Sequence, residues 1–221
     1  MKLSGRTVQL LKNFSSINKS IVIRRGNILS TISQNKEILA RATIPETFER
    51  SFGIYELPRL LGILTLFDEP DIQFETNHLK VVEGKQSISY YYTDEQMIVA
   101  PPDKDISLSE PTISFNLDQN IYAALMKALN VMQLPSIGVV GNKNKIMLTA
   151  MDAETKSTND SYQVEVGETE HEFKMVFKGE HFKMLQDNYN VTISANGISK
   201  FVGTDVQYWI ALQKKTSTFV K

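Results

Sequence analysis

Hydrophobic residues recur with the spacing of one helical face in four stretches of the chain. This spacing predicts α-helices over residues 3–17, 56–67, 118–132 and 179–188. Asp118 is a suitable N-cap residue for the third of these helices. Between the helices, shorter apolar runs predict β-strands, and Asn196-Gly197 predicts a tight hairpin turn near the end of the chain. The order of a helix followed by strands therefore occurs twice.

A proline-rich segment separates the two repeats. Residues 101–111, PPDKDISLSEP, hold three of the seven prolines and therefore indicate an extended linker. Apart from the two arms of the hairpin, the predicted strands cover residues 20–24, 27–33, 36–44, 71–75, 78–83, 86–92, 96–100, 112–116, 136–141, 145–151, 161–166, 172–178 and 206–213. We predict an α+β fold with two similar domains, residues 1–100 and 112–221, joined by residues 101–111.

The second predicted helix has one face with little side-chain volume. Its apolar side carries four leucines, Leu57, Leu60, Leu61 and Leu64. The opposite side carries Arg59 and Gly62. Because a glycine inside a helix costs about 1 kcal/mol relative to alanine, Gly62 needs an explanation. Either it keeps an exposed face free of bulk, or it permits close packing against a sheet.

Each predicted helix places a basic residue on the face opposite its apolar stripe. These residues are Lys12, Arg59, Lys127 and Lys183. The other predicted stripes consist of Leu3, Thr7, Leu10, Phe14 and Ile17 in the first helix, Ile121, Leu125, Ala128 and Met132 in the third, and Phe182 and Leu185 in the fourth. A single surface lysine is usually just solvated, but four cations on corresponding faces of two repeats indicate a surface for an anionic partner.

The formal net charge of −1 conceals an uneven distribution of charge along the chain. Residues 1–36 contain seven basic residues and no acidic residue, whereas residues 152–172 contain seven acidic residues and one lysine. This segregation is typical of a protein that meets an anionic partner with one face, although a solvated basic helix gives the same pattern.

Several kinds of chemistry lack the residues they require. The chain has no cysteine, which excludes disulfides and thiolate metal sites. Its histidines, His78, His171 and His181, lack metal-ligand spacing, and no P-loop or nucleophile motif is present. We therefore predict that the protein is not an enzyme and needs no cofactor. Without a run of about 18 apolar residues, it is also predicted to have no membrane span and to be cytoplasmic.

Three segments carry a resemblance to a known family. MKLSGRTVQLLKNFSSIN, IYELPRLLGILTL and IVAPPDKDI resemble, in this order, the N-terminus, the second helix and the start of the interdomain connector of one class of DNA polymerase sliding clamps. These are the processivity factors of T-even-type bacteriophages. The similarity runs over most of the chain and is densest in its first 110 residues.

The resemblance implies a homotrimeric ring with helices on its inner surface and antiparallel sheets outside. Duplex DNA would pass through the ring, where Gly62 would add no bulk to the wall. The implied partners are the C-terminal peptide of the replicative polymerase and the clamp-loader ATPase, in the host cytoplasm if the protein is viral. The implied DNA-contacting residues are Lys12, Arg59, Lys127 and Lys183, with Lys2 and Arg6 as helpers.

The resemblance also implies a pocket for the polymerase peptide beside the connector. Its candidate residues are Val99, Pro101, Ile106, Leu108 and Leu212. In an extended connector, alternation turns Ile106 and Leu108 to one side, with Asp103, Asp105, Ser107 and Ser109 on the other. For ring closure, the candidate edge strands are residues 86–99 and 161–166.

Two other classes of protein remain open at this stage. A single-stranded DNA-binding protein would stack bases on exposed aromatic residues, but strand alternation splits Tyr90–Tyr92 between two faces. A structural virion protein would fit a β-rich chain without cysteine, but it does not explain basic helices in both repeats. A trimer on sizing would favour the clamp over both.

Overall fold

Helices and antiparallel strands alternate along the chain and form two separate α+β units. A computed structural model describes residues 1–104, 106–109, 112–142, 144–155 and 160–220. The first unit covers Met1–Asp103 and the second covers Lys104–Lys221. The predicted α+β class is confirmed. Within the predicted connector, positions 105, 110 and 111 lie outside the described residues.

The first unit packs two helices and three groups of strands. Strand β1 pairs with β4, β2 pairs with β3, and β5, β6 and β7 form an antiparallel meander. Helix α1 packs on α2 and on β2 and β3. The elements are α1 (Gly5–Ile17), β1 (Ile21–Ile23), β2 (Gly26–Ile32), β3 (Ile38–Phe48), β4 (Phe52–Ile54), α2 (Leu57–Leu64), β5 (Asp71–Phe74), β6 (His78–Glu83) and β7 (Gln86–Tyr91).

The N-terminus of α1 is satisfied by side chains from two elements. Ser4 is the N-cap residue, and its hydroxyl accepts a hydrogen bond from the Thr7 amide. From β3, the Glu46 carboxylate accepts hydrogen bonds from the Ser4 amide and from the Thr7 hydroxyl. The first amides of a helix have no partner within the helix, so these bonds fix both the start of α1 and its place on β3.

Helix α2 buries its four leucines and leaves Gly62 in open space. Leu57, Leu60, Leu61 and Leu64 are all buried, as the spacing predicts. A Cβ atom added to Gly62 would meet no neighbouring heavy atom within 4 Å. Close packing against a sheet is therefore not the reason for the glycine. The structure supports the other explanation, an exposed helix face that is free of bulk.

The described residues of the second unit form one α-helix and two antiparallel groups of strands. Strands follow the order β11-β10-β9-β12-β16 in one sheet and β15-β14-β13-β8 in the other, and α3 packs on β10 and β11. The elements are β8 (Thr112–Leu117), α3 (Gln119–Val131), β9 (Ser136–Asn142), β10 (Lys145–Met151), β11 (Tyr162–Glu168), β12 (Glu172–Lys178), β13 (Tyr189–Ser194), β14 (Ile198–Val202), β15 (Val206–Ala211) and β16 (Thr218–Phe219).

Two local predictions in this unit are confirmed. The Asp118 carboxylate accepts hydrogen bonds from the amides of Asn120 and Ile121, so it is the N-cap of α3. Asn196-Gly197 joins β13 to β14, and Gly197 has a φ of 104°, a backbone conformation that favours glycine.

The predicted apolar stripes are partly wrong for α1 and α3. In α1, Leu11 is buried as well, whereas Leu3 is only half-buried. In α3, the buried residues are Tyr122, Leu125 and Leu129, while the predicted Ile121, Ala128 and Met132 are half-buried. The spacing identifies the correct helix, but its rotation depends on which side chains find partners in the rest of the unit.

The predicted helix over residues 179–188 is wrong. Only a short 3₁₀ turn forms, Gly179–His181, and the chain then continues without regular structure. Phe182 is buried as predicted, but Leu185 is only half-buried.

Tyrosine hydroxyls hold this segment by binding its backbone groups. A helix would need these same backbone groups for its own hydrogen bonds, and the single proton of the Leu185 amide, which is donated to Tyr208, cannot serve both. Burial raises the pKa of Tyr122, so its hydroxyl keeps the proton it donates. The contacts are Tyr122 with the carbonyl oxygens of Phe182 and Met184, both at 3.1 Å, Tyr189 with the carbonyl oxygen of Leu185 at 2.5 Å, and Tyr208 with the amide of Leu185 at 3.2 Å.

One further strand prediction is wrong, and two strands were missed. Residues 96–100 do not form a strand, because a 3₁₀ turn occupies Glu95–Met97 and the Asp94 carboxylate accepts a hydrogen bond from the Gln96 amide. Strands β4 and β16 were not predicted, since runs of three and two residues are too short to show a pattern.

Replacing Gly62 by alanine should stabilise the protein. The added methyl group meets open space, and alanine is the better helix former by about 0.5–1 kcal/mol. Chemical denaturation should therefore show a higher midpoint for Gly62→Ala. Gly141→Ala is the matched control and should destabilise, because its Cβ would lie 2.4 Å from the Phe173 ring. A lower midpoint for Gly62→Ala would show that this face of α2 is packed.

The Glu46 contacts should make stability depend on pH. Burial acts to raise the pKa of Glu46, but the hydrogen bonds from Thr7 and Ser4 outweigh it and hold the pKa below its ordinary value of 4.5. A lowered folded-state pKa gives stability that is present above the unfolded-state pKa and is lost as pH falls through the folded-state pKa. Glu46→Gln should therefore cost about 1 kcal/mol at pH 7.

The difference between Glu46→Gln and wild type should shrink as the pH falls below 4.5, since the wild-type carboxyl group then becomes neutral too. Urea denaturation across this range measures it. Glu49→Gln, at an exposed position just after β3, is the control and should leave stability at pH 7 unchanged. A constant difference for Glu46→Gln down to low pH would contradict the assignment.

Candidate nucleic-acid interface and peptide pocket

The cations predicted on the helices of the first unit are exposed to solvent. Lys12 lies on the outer face of α1 and Arg59 on the outer face of α2. Arg59 forms an ion pair with Glu56 one helical turn away, with the Nη1 and Oε2 atoms 3.4 Å apart. Exposed pairs of this kind contribute about 0–1 kcal/mol, so Glu56 does little to keep Arg59 from an external phosphate.

The two predicted helper cations both have partners within the chain. Lys2 Nζ lies 2.8 Å from Glu69 Oε2, with both side chains exposed. The hydrogen bond and the opposite charge raise the pKa of Lys2 and lower that of Glu69. Arg6 Nη1 donates a hydrogen bond to Gln9 Oε1 over 2.8 Å. The Lys2–Glu69 pair is as exposed as the Arg59–Glu56 pair, so it too does little to keep its cation from an external phosphate.

A cleft between α1 and α2 brings two of the predicted cations together. It has a volume of about 660 Å³, and both Lys2 and Lys12 line it. Asp68 and Glu69 also line the cleft, so its electrostatic character is mixed. Gly5 and Leu61 form part of the wall between the charged side chains.

The two predicted cations of the second unit stand on different kinds of structure. Lys127 is exposed on α3. Lys183 is exposed too, but it follows the 3₁₀ turn instead of lying on a helix, and its amide donates to the His181 carbonyl over 2.8 Å. Lys183 lines a groove of about 940 Å³ beside Met126 and Asn130 of α3, which also contains acidic side chains.

The predicted peptide-pocket residues belong to both units. In the first unit, Val99 is half-buried and Pro101 is buried. In the second unit, Ile106 and Leu108 are half-buried and Leu212 is buried.

The connector residues of the second unit alternate as predicted. Ser107 and Ser109 are exposed, whereas Ile106 and Leu108 between them are half-buried; Asp105 lies outside the described residues. The indole N–H of buried Trp209 donates to the Ile106 carbonyl over 3.2 Å. This bond attaches the segment to β15 and gives Ile106 a fixed orientation.

Leu212 lines a groove that sequence analysis did not identify. The groove lies within the second unit, has a volume of about 330 Å³, and is also lined by Met175, Lys214 and Phe219. Phe219 reaches this place because β16 pairs with β12. Two residues of strand pattern could not have predicted that pairing.

The described residues contain no group of three or more His, Asp or Glu residues that could hold a metal ion. No helix among them has the length and apolar character needed to cross a membrane.

Solved structures show which class of fold these elements form. The PCNA of A. fulgidus, solved with the C-terminal region of FEN-1, matches 93% of this chain and 94% of its own with a TM-score of 0.70. The sequence identity is only 13%, so the likeness concerns the fold. The fold is that of PCNA and the beta clamps.

Sequence comparisons identify the family within this class. The family model described as DNA polymerase processivity factor matches residues 4–100, and the model described as gp45 sliding clamp, C terminal, matches residues 114–214. The sliding clamp of Vibrio phage KVP40 is 30% identical over 96% of this chain and 99% of its own. That of Enterobacteria phage T4 is 28% identical over 96% and 97%.

The chain belongs to the phage sliding clamps, the processivity factors of DNA polymerase. The predicted class of protein is thus confirmed. Neither the single-stranded DNA-binding protein nor the virion protein gains support from these comparisons.

Proposed function

We propose that three copies of this chain close into a ring around duplex DNA, with the helices of every unit facing the DNA. The observation that carries this proposal is the arrangement of Lys12, Arg59 and Lys127. All three are exposed on helices whose opposite faces are buried. Lys183 adds a fourth exposed cation. Gly62 has no side chain and therefore leaves the exposed face of α2 free of bulk.

The proposed mechanism is topological and involves no bond chemistry. A closed ring stays on DNA because it cannot come off sideways, so its cations need only attract the phosphates weakly. Each tight phosphate contact would add salt-dependent affinity and would hinder sliding. Exposed lysines and arginines that form weak ion pairs with nearby acidic residues, as Arg59 does with Glu56, suit this requirement.

We further propose residues 1–100 and 112–221 as the two clamp domains and residues 101–111 as their connector. Ring closure would join an edge strand of one copy to an edge strand of the next. Strands β7 and β11 each stand at the end of their sheet, which supports the predicted edges. On β7, Tyr91 is 66% exposed and offers an aromatic anchor for such an interface.

The proposed partners are the replicative DNA polymerase, bound through its C-terminal peptide, and a clamp-loader ATPase that opens the ring, in the cytoplasm of the phage host. A related fold, the PCNA of A. fulgidus, has been solved with the C-terminal region of FEN-1, which supports docking of a partner's terminal segment. Ile106, Leu108 and Leu212 are the proposed anchoring sites of the second unit, and Val99 and Pro101 those of the first.

Removing the four main cations should impair DNA synthesis without disturbing assembly. The combined variant Lys12→Ala, Arg59→Ala, Lys127→Ala and Lys183→Ala removes charges that are exposed and contribute little to stability. Light scattering should give a trimer for both the variant and the wild type. Loading onto primed DNA and the length of product per binding event should both fall.

A matched control changes four lysines on strands and turns, Lys80, Lys85, Lys174 and Lys215, which alters the net charge equally. This control should replicate primed DNA as processively as the wild type. If the helix variant were as processive as the wild type, the four cations would not be the DNA contacts. A monomer at micromolar concentration would count against the ring itself.

Shortening the two connector side chains should weaken binding of the polymerase peptide. Ile106→Ala combined with Leu108→Ala removes two half-buried apolar groups from one side of the connector. Each lost anchor should cost about 1–3 kcal/mol, or roughly ten- to a hundredfold in affinity. Calorimetry with the C-terminal peptide of the partner polymerase measures the effect.

Ser107→Ala, on the exposed side of the same segment, is the control and should bind the peptide as the wild type does. Trimer formation and loading should be unaffected in both variants. Unchanged affinity in the double variant would place the docking site elsewhere.

A further inference from the structure

A groove lined by three arginines lies in the first unit, and Pro102, the neighbour of the proposed peptide-contact residue Pro101, forms part of its wall. We call it the arginine groove and define it by Arg24, Arg25, Ile28, Arg41 and Asp103. Its volume is about 230 Å³. Among the residues that line it, three carry a guanidinium group and only Asp103 carries a carboxylate. The groove therefore has an excess of positive charge.

A β-bulge creates the shape of this groove. Gly26 has a φ of 119°, which favours glycine, and the register of β2 against β3 shifts between Gly26 and Ile28. As a result, the neighbouring Asn27 and Ile28 are both exposed, where a regular strand would turn one of them inward. Ile28 is 49% exposed and stands as an apolar side chain among the arginines.

The beginning of the connector already occupies part of the arginine groove. Arg24 Nη1 lies 2.7 Å from Asp103 Oδ1, and the two side chains are 44% and 75% exposed. Arg41 Nη2 donates a hydrogen bond to the Pro102 carbonyl oxygen over 3.2 Å. The chain itself thus shows that a carboxylate and an extended backbone fit these arginines.

We propose that the arginine groove binds an acidic segment of a partner protein that carries an apolar side chain, and that Asp103 holds the place of the partner's carboxylate until that segment arrives. The charge of the groove complements an acidic segment, and guanidinium groups pair especially well with carboxylates. Ile28 supplies the apolar contact, which a phosphate backbone would not use. These two features together favour a peptide over a nucleic acid.

Displacing the Asp103 carboxylate from Arg24 by a carboxylate of the partner costs little free energy. Both members of the Arg24–Asp103 pair are exposed, and exposed pairs contribute little to stability. Because Pro102 and Asp103 begin the connector, their release would free the adjoining chain as the partner binds. The proposal does not depend on the ring encircling DNA. Peptide binding tests this proposal, whereas processivity and trimer formation test the clamp mechanism, so either can fail without the other.

The test measures binding of a defined probe to the full chain. The probe is a short fluorescein-labelled peptide of alternating Asp and Leu, and binding is followed by fluorescence anisotropy at low ionic strength. Asp103→Ala removes the internal competitor and should bind the probe about two- to fivefold more tightly than the wild type. Arg24→Ala with Arg41→Ala should bind it about tenfold more weakly.

Arg50→Ala is the matched control, because Arg50 is another exposed arginine of the first unit and donates to the Glu75 carbonyl instead. It should bind the probe as the wild type does. Equal binding by the Arg24/Arg41 variant, or weaker binding by Asp103→Ala, would overturn the proposal. Tighter binding of a single-stranded oligonucleotide of equal charge would also overturn it, since the groove would then be a phosphate site.

Discussion

Burial of one apolar stripe on each helix is the interaction on which both units depend. Leu10 and Phe14 of α1 and Leu125 of α3 are completely buried, and each such side chain contributes about 1.5–3 kcal/mol. These contacts set the rotation of the helix against its sheet. The opposite face is thereby left to solvent, whichever residues occupy it. Because solvated residues contribute little to stability, the fold places few demands on that face, and α2 accommodates a glycine in open space at Gly62.

The same constraint explains which parts of the fold could be predicted from the sequence. Apolar spacing identifies α1, α2 and α3, and alternation identifies most strands, because both patterns follow directly from which residues are buried. The prediction failed over residues 179–188, where Tyr122 and Tyr208, both distant in the sequence, and the adjacent Tyr189 bind the backbone groups that a helix would use. Tertiary contacts of this kind leave no trace in local spacing.

The candidate sites also divide into features that local sequence spacing predicts and features that depend on contacts between distant segments. Exposure of Lys12, Arg59 and Lys127 follows from helical spacing alone, so it was predictable. The pairing of Arg24 with Asp103 and the pairing of β16 with β12, which brings Phe219 to the groove at Leu212, join segments far apart in sequence, so they were not. The segment rich in basic residues did indicate an anionic partner, but it could not separate the helix cations from the arginines beside the bulge.

The bulge between β2 and β3 also affects how a single chain behaves. Strand β2 stands at the end of its sheet, where regular backbone groups would offer a template to any passing strand. The bulge distorts the first part of that edge, and adjacent Arg24 and Arg25 add like charges that repel another copy of the same edge. On β12, the short strand β16 covers the corresponding groups. A newly synthesised chain therefore has fewer places for mistaken strand pairing, which lowers its tendency to aggregate.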